Sequence, residues 1–196
     1  MSVPRERNGA VLGRSGVERE ILGAAARLLV VDRGASMERI AGAAGVGRTT
    51  LHRHFRGRED LIRAIAVDAM EECEAAIVRA RLGEGSVRAA VERLFEALVP
   101  VGERYHFLLA EAQLEEDPGL KAYEERIDAP IRALIGRGKE DGTFAADVPD
   151  AWVLNATGAL LFAAWEGVRD GDLAPRETPR LVARTLLSGV GTRKGG

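Results

Sequence analysis

The chain has 196 residues, 46% of them hydrophobic and 30% charged, with a formal net charge of −2. This is enough apolar material to bury a core unaided, and the lone cysteine, Cys73, cannot form an internal disulfide, so a secreted disulfide scaffold is excluded. The longest apolar run, Ala159 to Trp165, is far too short to span a bilayer, and the N-terminus lacks the apolar core of a signal peptide, so the expected location is the cytoplasm, with no membrane partner.

Charge is unevenly divided along the chain. Residues 1–60 hold eleven basic side chains against seven acidic ones, a balance of +4, which leaves −6 for the remainder. A cationic end on an anionic body suits a polyanion-binding module attached to a domain that does not bind polyanions.

In chain order, Val17, Ile21, Ala24, Leu28 and Val31 recur at steps of four and three, the stripe of a first helix that Asp32-Arg33-Gly34 ends. Ser36 then caps a short second helix with Met37, Ile40, Ala41 and Ala44 inward, and Gly45 can take the left-handed conformation that stops it. A third helix runs from about Gly47 to Phe55. A long fourth, Glu59 to about Arg81, opens on two acidic residues that suit its N-terminal dipole and buries Ile62, Ile65, Ala69, Cys73, Ala76 and Ala80. On that stripe Cys73 reads as a buried thiol rather than a redox sensor, which needs exposure and a basic neighbour.

Beyond Gly83-Glu84-Gly85-Ser86 the pattern predicts a fifth helix with Val91, Leu94, Phe95 and Leu98 inward, closed by Pro100-Val101-Gly102. A sixth covers Glu103 to Glu116 and stops at Asp117-Pro118-Gly119. The seventh, Leu120 to about Arg137, is kinked at Pro130. Pro149 and Thr178-Pro179 mark the starts of the eighth and ninth. With no strand alternation and no repeat, the expected fold is all-α with about nine helices.

On the third helix Leu51 and Phe55, four apart, share one face, while Arg48, Thr49, His52 and Arg53 group on another. Two short helices joined by a tight Gly-containing turn, the second exposing Arg, Thr and His, describe a helix-turn-helix that lays its second helix in the DNA major groove. Arg48 can donate two parallel hydrogen bonds to a guanine edge, and Thr49 can bond or touch a thymine methyl; His52 and Arg53 are better placed for phosphates. Ser36 can serve both as cap and as a phosphate ligand at a helix N-terminus. His52 and His54 point to nearly opposite sides and lack a completing ligand set, so no metal is expected there.

The region from about Val17 to Ile65 resembles the TetR family of transcriptional regulators, through Ile40-Ala41, Ala44-Gly45-Val46, Thr50-Leu51, His54-Phe55, and Leu61 six residues after Phe55. Two departures stand out: Gly47 where the family commonly has a Ser or Thr cap, and His52 where it commonly has Tyr. Arg58 occupies a place usually held by Lys, near the DNA backbone. The resemblance implies a DNA-contacting set of Ser36, Gly47, Arg48, Thr49, Thr50, His52, Arg53, His54 and Arg58. It also implies a helical body that binds a small-molecule effector and dimerises through the last two helices.

The eighth predicted helix is apolar almost all round, so it should meet a partner subunit as well as its own core. The expected interface residues are Leu160, Leu161, Ala164, Trp165 and, from the last helix, Leu187. Phe95, Tyr105, Phe107, Glu111, Tyr123, Trp152, Asn155 and Phe162 offer the aromatic walls and scattered polar groups of a ligand cavity. The expected organisation is a flexible arm (1–14), a DNA-binding domain (15–60), an effector and dimerisation body (61–191) and a tail (192–196). The reading is a homodimeric repressor released from operator DNA by a small apolar or amphipathic molecule, without a cofactor. A helical carrier or enzyme with a merely solubilising basic end is the alternative. No nucleophile elbow, phosphate loop or metal cluster supports catalysis.

Overall fold

The structure, a computed structural model, describes residues 15–111, 114 and 117–191. The expected arm and tail, and Ala112, Gln113, Glu115 and Glu116 of the predicted sixth helix, lie outside the described residues. Eight α-helices and one 3-10 turn follow in order: α1 Gly16–Val31, α2 Met37–Ala43, α3 Arg48–His54, α4 Arg58–Ala80, α5 Val87–Tyr105, the turn His106–Ala110, α6 Pro118–Glu140, α7 Asp150–Asp170 and α8 Thr178–Val190. No named strand occurs among the described residues; Phe144 and Gly191 meet in one isolated antiparallel bridge.

α4 is the axis of the molecule. It packs against α1 on one side and against α5 and α6 along its length, while α7 and α8 cover α5 from the opposite side. One continuous apolar core runs from Ile21 and Leu29 in α1 through Leu61 and Ile65 in α4 to Phe95 in α5 and Leu186 in α8. The expected domain boundary at residue 60 falls inside α4, in its first turn.

Three sequence expectations change in the packed structure. α1 keeps Ile21 and Ala24 inward as expected but also buries Leu22, Ala25, Ala26 and Leu29, and it leaves Val17 40% and Val31 86% exposed. The run from Ile21 to Val31 is apolar on more than one stripe, so periodicity did not single out the buried one.

α5 does not end at Pro100. It continues to Tyr105, because Val99, Val101 and Gly102 are buried on both sides of the proline and the last turn is held from α7. Gly102 lies flat under the Trp165 indole, where an added Cβ would fall 1.9 Å from the ring, and Trp165 Nε1 donates to the Leu98 carbonyl at 3.1 Å. Packing on this scale outweighs one lost helical hydrogen bond.

The predicted sixth helix does not form as a separate element over its described part: Glu103, Arg104 and Tyr105 are the end of α5, and His106–Ala110 form the 3-10 turn. α6 starts two residues earlier than expected. Asp117 caps it, accepting from the amides of Gly119 (2.8 Å) and Leu120 (3.3 Å), and Pro118 sits in the first turn where its missing N–H costs nothing.

Both ends of α4 are tied down. At the far end Arg81 adopts the left-handed conformation (φ 48°), and the loop beyond it is held by two arginines. Arg93 donates to the carbonyls of Ala80, Arg81 and Glu84, and Arg137 to those of Leu82 and Gly85. The Ala80 carbonyl is one of those a helix C-terminus leaves open, and the other bonds fasten the loop that follows it.

Candidate functional site

The turn between α2 and α3 is built from local signals. Ser36 Oγ accepts from the Arg39 amide at 3.3 Å and starts α2; Gly45 takes φ 66° and ends it, with the Val46 amide returning to the Ala41 carbonyl at 3.0 Å. Only glycine adopts that φ without a steric penalty. Gly47, extended, begins α3 with no side-chain cap.

α3 then stands on two anchors. Leu51 is 0% and Phe55 3% exposed, and they fix which way the helix faces. Arg48, Thr49, His52 and Arg53 are exposed on the opposite side, while Thr50 and His54 are half-buried at its edges. His54 leans on Phe55 with ring centroids 6.3 Å apart. The exposed four form a ridge of donors on a short helix whose other face is immobilised, as insertion into a groove requires. Arg58, half-exposed, donates its guanidinium back to the carbonyls of Ala35 and Arg33.

In the body, the expected cavity residues separate into two groups. Phe95 and Phe107 are fully buried, and Tyr105 and Tyr123 converge on one face of α4. Tyr105 donates its hydroxyl to Asp68 at 2.8 Å, and Tyr123 donates to Glu71 at 2.9 Å. Burial first, and then the Asp68 carboxylate, push the Tyr105 phenol up from its ordinary value. Each ring is backed by a guanidinium, Arg104 over Tyr105 and Arg126 over Tyr123 at 4.1 Å, and these arginines pair with Glu72 and Glu74. Glu111 lies in the segment after the 3-10 turn, 4.0 Å from Arg58.

Trp152, Asn155 and Phe162 are elsewhere. They project from the opposite face of α7, Trp152 63% and Phe162 46% exposed, in line with exposed Ala159 and Glu166. The residues expected at the subunit interface are turned the other way: Leu161, Ala164 and Leu187 are buried within the chain's own core, Trp165 packs on α5, and Leu160 is half-buried against the core. The stripe of α7 expected at the interface thus faces the chain's own core, and the stripe of Trp152, Asn155 and Phe162 is left exposed. The wheel separates two apolar stripes but carries no information on which one α5 covers.

Comparison with known proteins adds an independent line. The profile described as "Bacterial regulatory proteins, tetR family" matches residues 21–65, which is α1 to the first third of α4. The chain is 33% identical over 190 residues to the HTH-type transcriptional repressor LfrR of Mycolicibacterium smegmatis, covering 97% of each chain. The chain belongs to the TetR family. Among solved structures, LfrR from Mycobacterium smegmatis in complex with proflavine superposes with a TM-score of 0.74 over 90% of this chain and 97% of that one, at 33% identity. PfmR from Thermus thermophilus, 24% identical, shares the fold with a TM-score of 0.73 over 88% of this chain and 99% of that one.

Membership in the TetR family makes the protein a DNA-binding transcriptional regulator and not an enzyme. The helix-turn-helix ridge needed only local signals to be found. The carboxylate row on α4, Asp68, Glu71, Glu72 and Glu74, was missed, although its three-residue spacing places Asp68, Glu71 and Glu74 along one side of the helix. Arg63 and Asp117, which pair through Nη2 and Oδ1 at 3.1 Å, carried no sequence signal, because they are 54 residues apart. No helix among the described residues is long and apolar enough to cross a membrane.

Proposed function

We propose that this TetR-family regulator is a cytoplasmic homodimeric repressor that leaves its operator when a small molecule enters the body. The observation that carries the DNA-binding part is the exposed ridge Arg48, Thr49, His52 and Arg53 above the buried anchors Leu51 and Phe55. Repression is supported by the relative LfrR, a transcriptional repressor of almost the same length.

The exposed stripe of α7, Trp152, Asn155, Ala159, Phe162 and Glu166, supports dimerisation through this helix. Two large, solvent-exposed aromatics beside small residues on one helix face suit an isologous contact with a second copy. For the effector, the α4 carboxylates beside the rings of Tyr105 and Tyr123 favour a planar aromatic cation within the apolar or amphipathic class that the sequence indicates. The proflavine complex of LfrR supports the same class.

α4 links effector to operator. It is about 35 Å long at 23 residues, and its far end is pinned by Arg93 and Arg137, so a tilt of about 5° there moves its DNA-proximal end by about 3 Å. A dimer reads two half-sites only when its recognition helices match about one DNA turn, roughly 34 Å, so a shift of this size in each copy disfavours binding. The test is a gel shift on DNA from the gene's own upstream region, titrated with proflavine. Expected are a specific complex and its release by the dye, with operator weakening dye binding by the same factor, typically about 5–150-fold. Absence of any specific complex with that DNA would defeat the reading.

A further inference from the structure

Arg58 is the first residue of α4, and its helix neighbours Glu59 and Asp60 are exposed, yet its own side chain runs back toward the protein. Nη1 donates to the Ala35 carbonyl at 3.0 Å, and Nη2 donates to the Arg33 carbonyl. Both acceptors belong to the turn between α1 and α2, just ahead of the Ser36 cap, and Ala35 is itself 2% exposed. Glu111, from the segment between the 3-10 turn and α6, approaches the same Nη2 at 4.0 Å. One guanidinium thus joins the start of α2, the start of α4 and the body.

We propose that Arg58 is a positioning residue that fixes the α2–α3 reading head on α4, and not a ligand of DNA phosphate; this rests on the DNA-binding reading above. Each terminal nitrogen of the fork donates to a backbone carbonyl, which holds the guanidinium against the turn between α1 and α2. The choice of arginine follows from the geometry. A planar fork reaches two carbonyls and a carboxylate at once, whereas the point charge of a lysine ammonium serves a phosphate equally well but cannot span all three. Glu111 places the far side of this link on the segment that leads into α6, so a shift of the body reaches α2 without passing through α3.

Arg58→Ala and Arg58→Lys separate the two roles. Operator binding is measured from about 50 to 200 mM salt, amide hydrogen exchange is measured on the free protein over residues 33–44, and circular dichroism checks the helical content of both variants. With Arg58 as a positioning residue, both variants lose at least about tenfold in operator affinity at every salt concentration, and their log–log salt slope equals that of the wild type. Exchange in residues 33–44 accelerates in both. A slope that falls by about one unit in Arg58→Ala while Arg58→Lys behaves as wild type would make Arg58 a phosphate contact and overturn the proposal. Unchanged exchange in both variants would overturn it as well. The exchange readout requires no DNA, so a failure of the operator reading is distinguishable from a failure of this one.

Discussion

Leu161 and Phe162 are neighbours in sequence on opposite faces of α7, and their replacement by glutamate should have opposite consequences. Phe162 is 46% exposed in the single chain. Of the roughly 200 Å² that a phenylalanine can bury, this leaves about 90 Å² for a partner, worth about 2 kcal/mol at 25 cal/mol per Å². Two-fold symmetry counts the residue twice, so the dimer loses about 4–5 kcal/mol, or about three decades in dissociation constant, before the cost of burying two carboxylates is added. Phe162→Glu should therefore be a folded monomer at micromolar concentration. Leu161, 8% exposed, packs inside its own subunit, so Leu161→Glu forfeits a core side chain and buries an unpaired charge, which should unfold the chain. Light scattering gives the mass and circular dichroism the helix content of each variant. A Phe162→Glu protein that remains a dimer with unchanged dissociation constant would refute the assignment of this face; a folded Leu161→Glu monomer would place the interface on the Leu161 stripe instead.

Arg48→Ala should weaken each half-site by about 1–3 kcal/mol and relax base preference, measured by binding to operator variants. Gly102→Ala places a methyl 1.9 Å from the Trp165 ring; displacement of the indole should cost about 1–3 kcal/mol in urea unfolding and shift the tryptophan emission. The Arg63 guanidinium holds the Asp117 carboxyl below its ordinary value, so the unfolded chain binds that proton more readily than the folded one. The pair's contribution is complete above the unfolded-state carboxyl range and drains away as pH falls through the lowered folded value. Wild type and Asp117→Asn should accordingly differ most in urea stability near neutral pH and converge in acid, and a gap constant down to pH 2 would contradict this. If the α4 carboxylate row recognises a cation, Glu71→Gln should weaken proflavine binding by about tenfold while leaving operator binding intact, as read by dye fluorescence and gel shift.

The reading head was legible because its signals are local. A capping Ser36, a left-handed Gly45, an extended Gly47 and anchors at Leu51 and Phe55 each act within a few residues, so their spacing alone sets where α2 stops, where α3 begins and which side of it faces out. The all-helical class and the starts at Pro149 and Thr178-Pro179 follow from equally short-range chemistry. Which way α7 turns, whether Pro100 ends α5, and where Arg58 points depend on partners tens of residues away: α5 under Trp165, the Gly102 seat, the carbonyls of Arg33 and Ala35. A helical repeat of 3.6 residues identifies an apolar stripe, but a helix with two such stripes is oriented only by the surface that reaches it first. That surface exists only once the chain has folded.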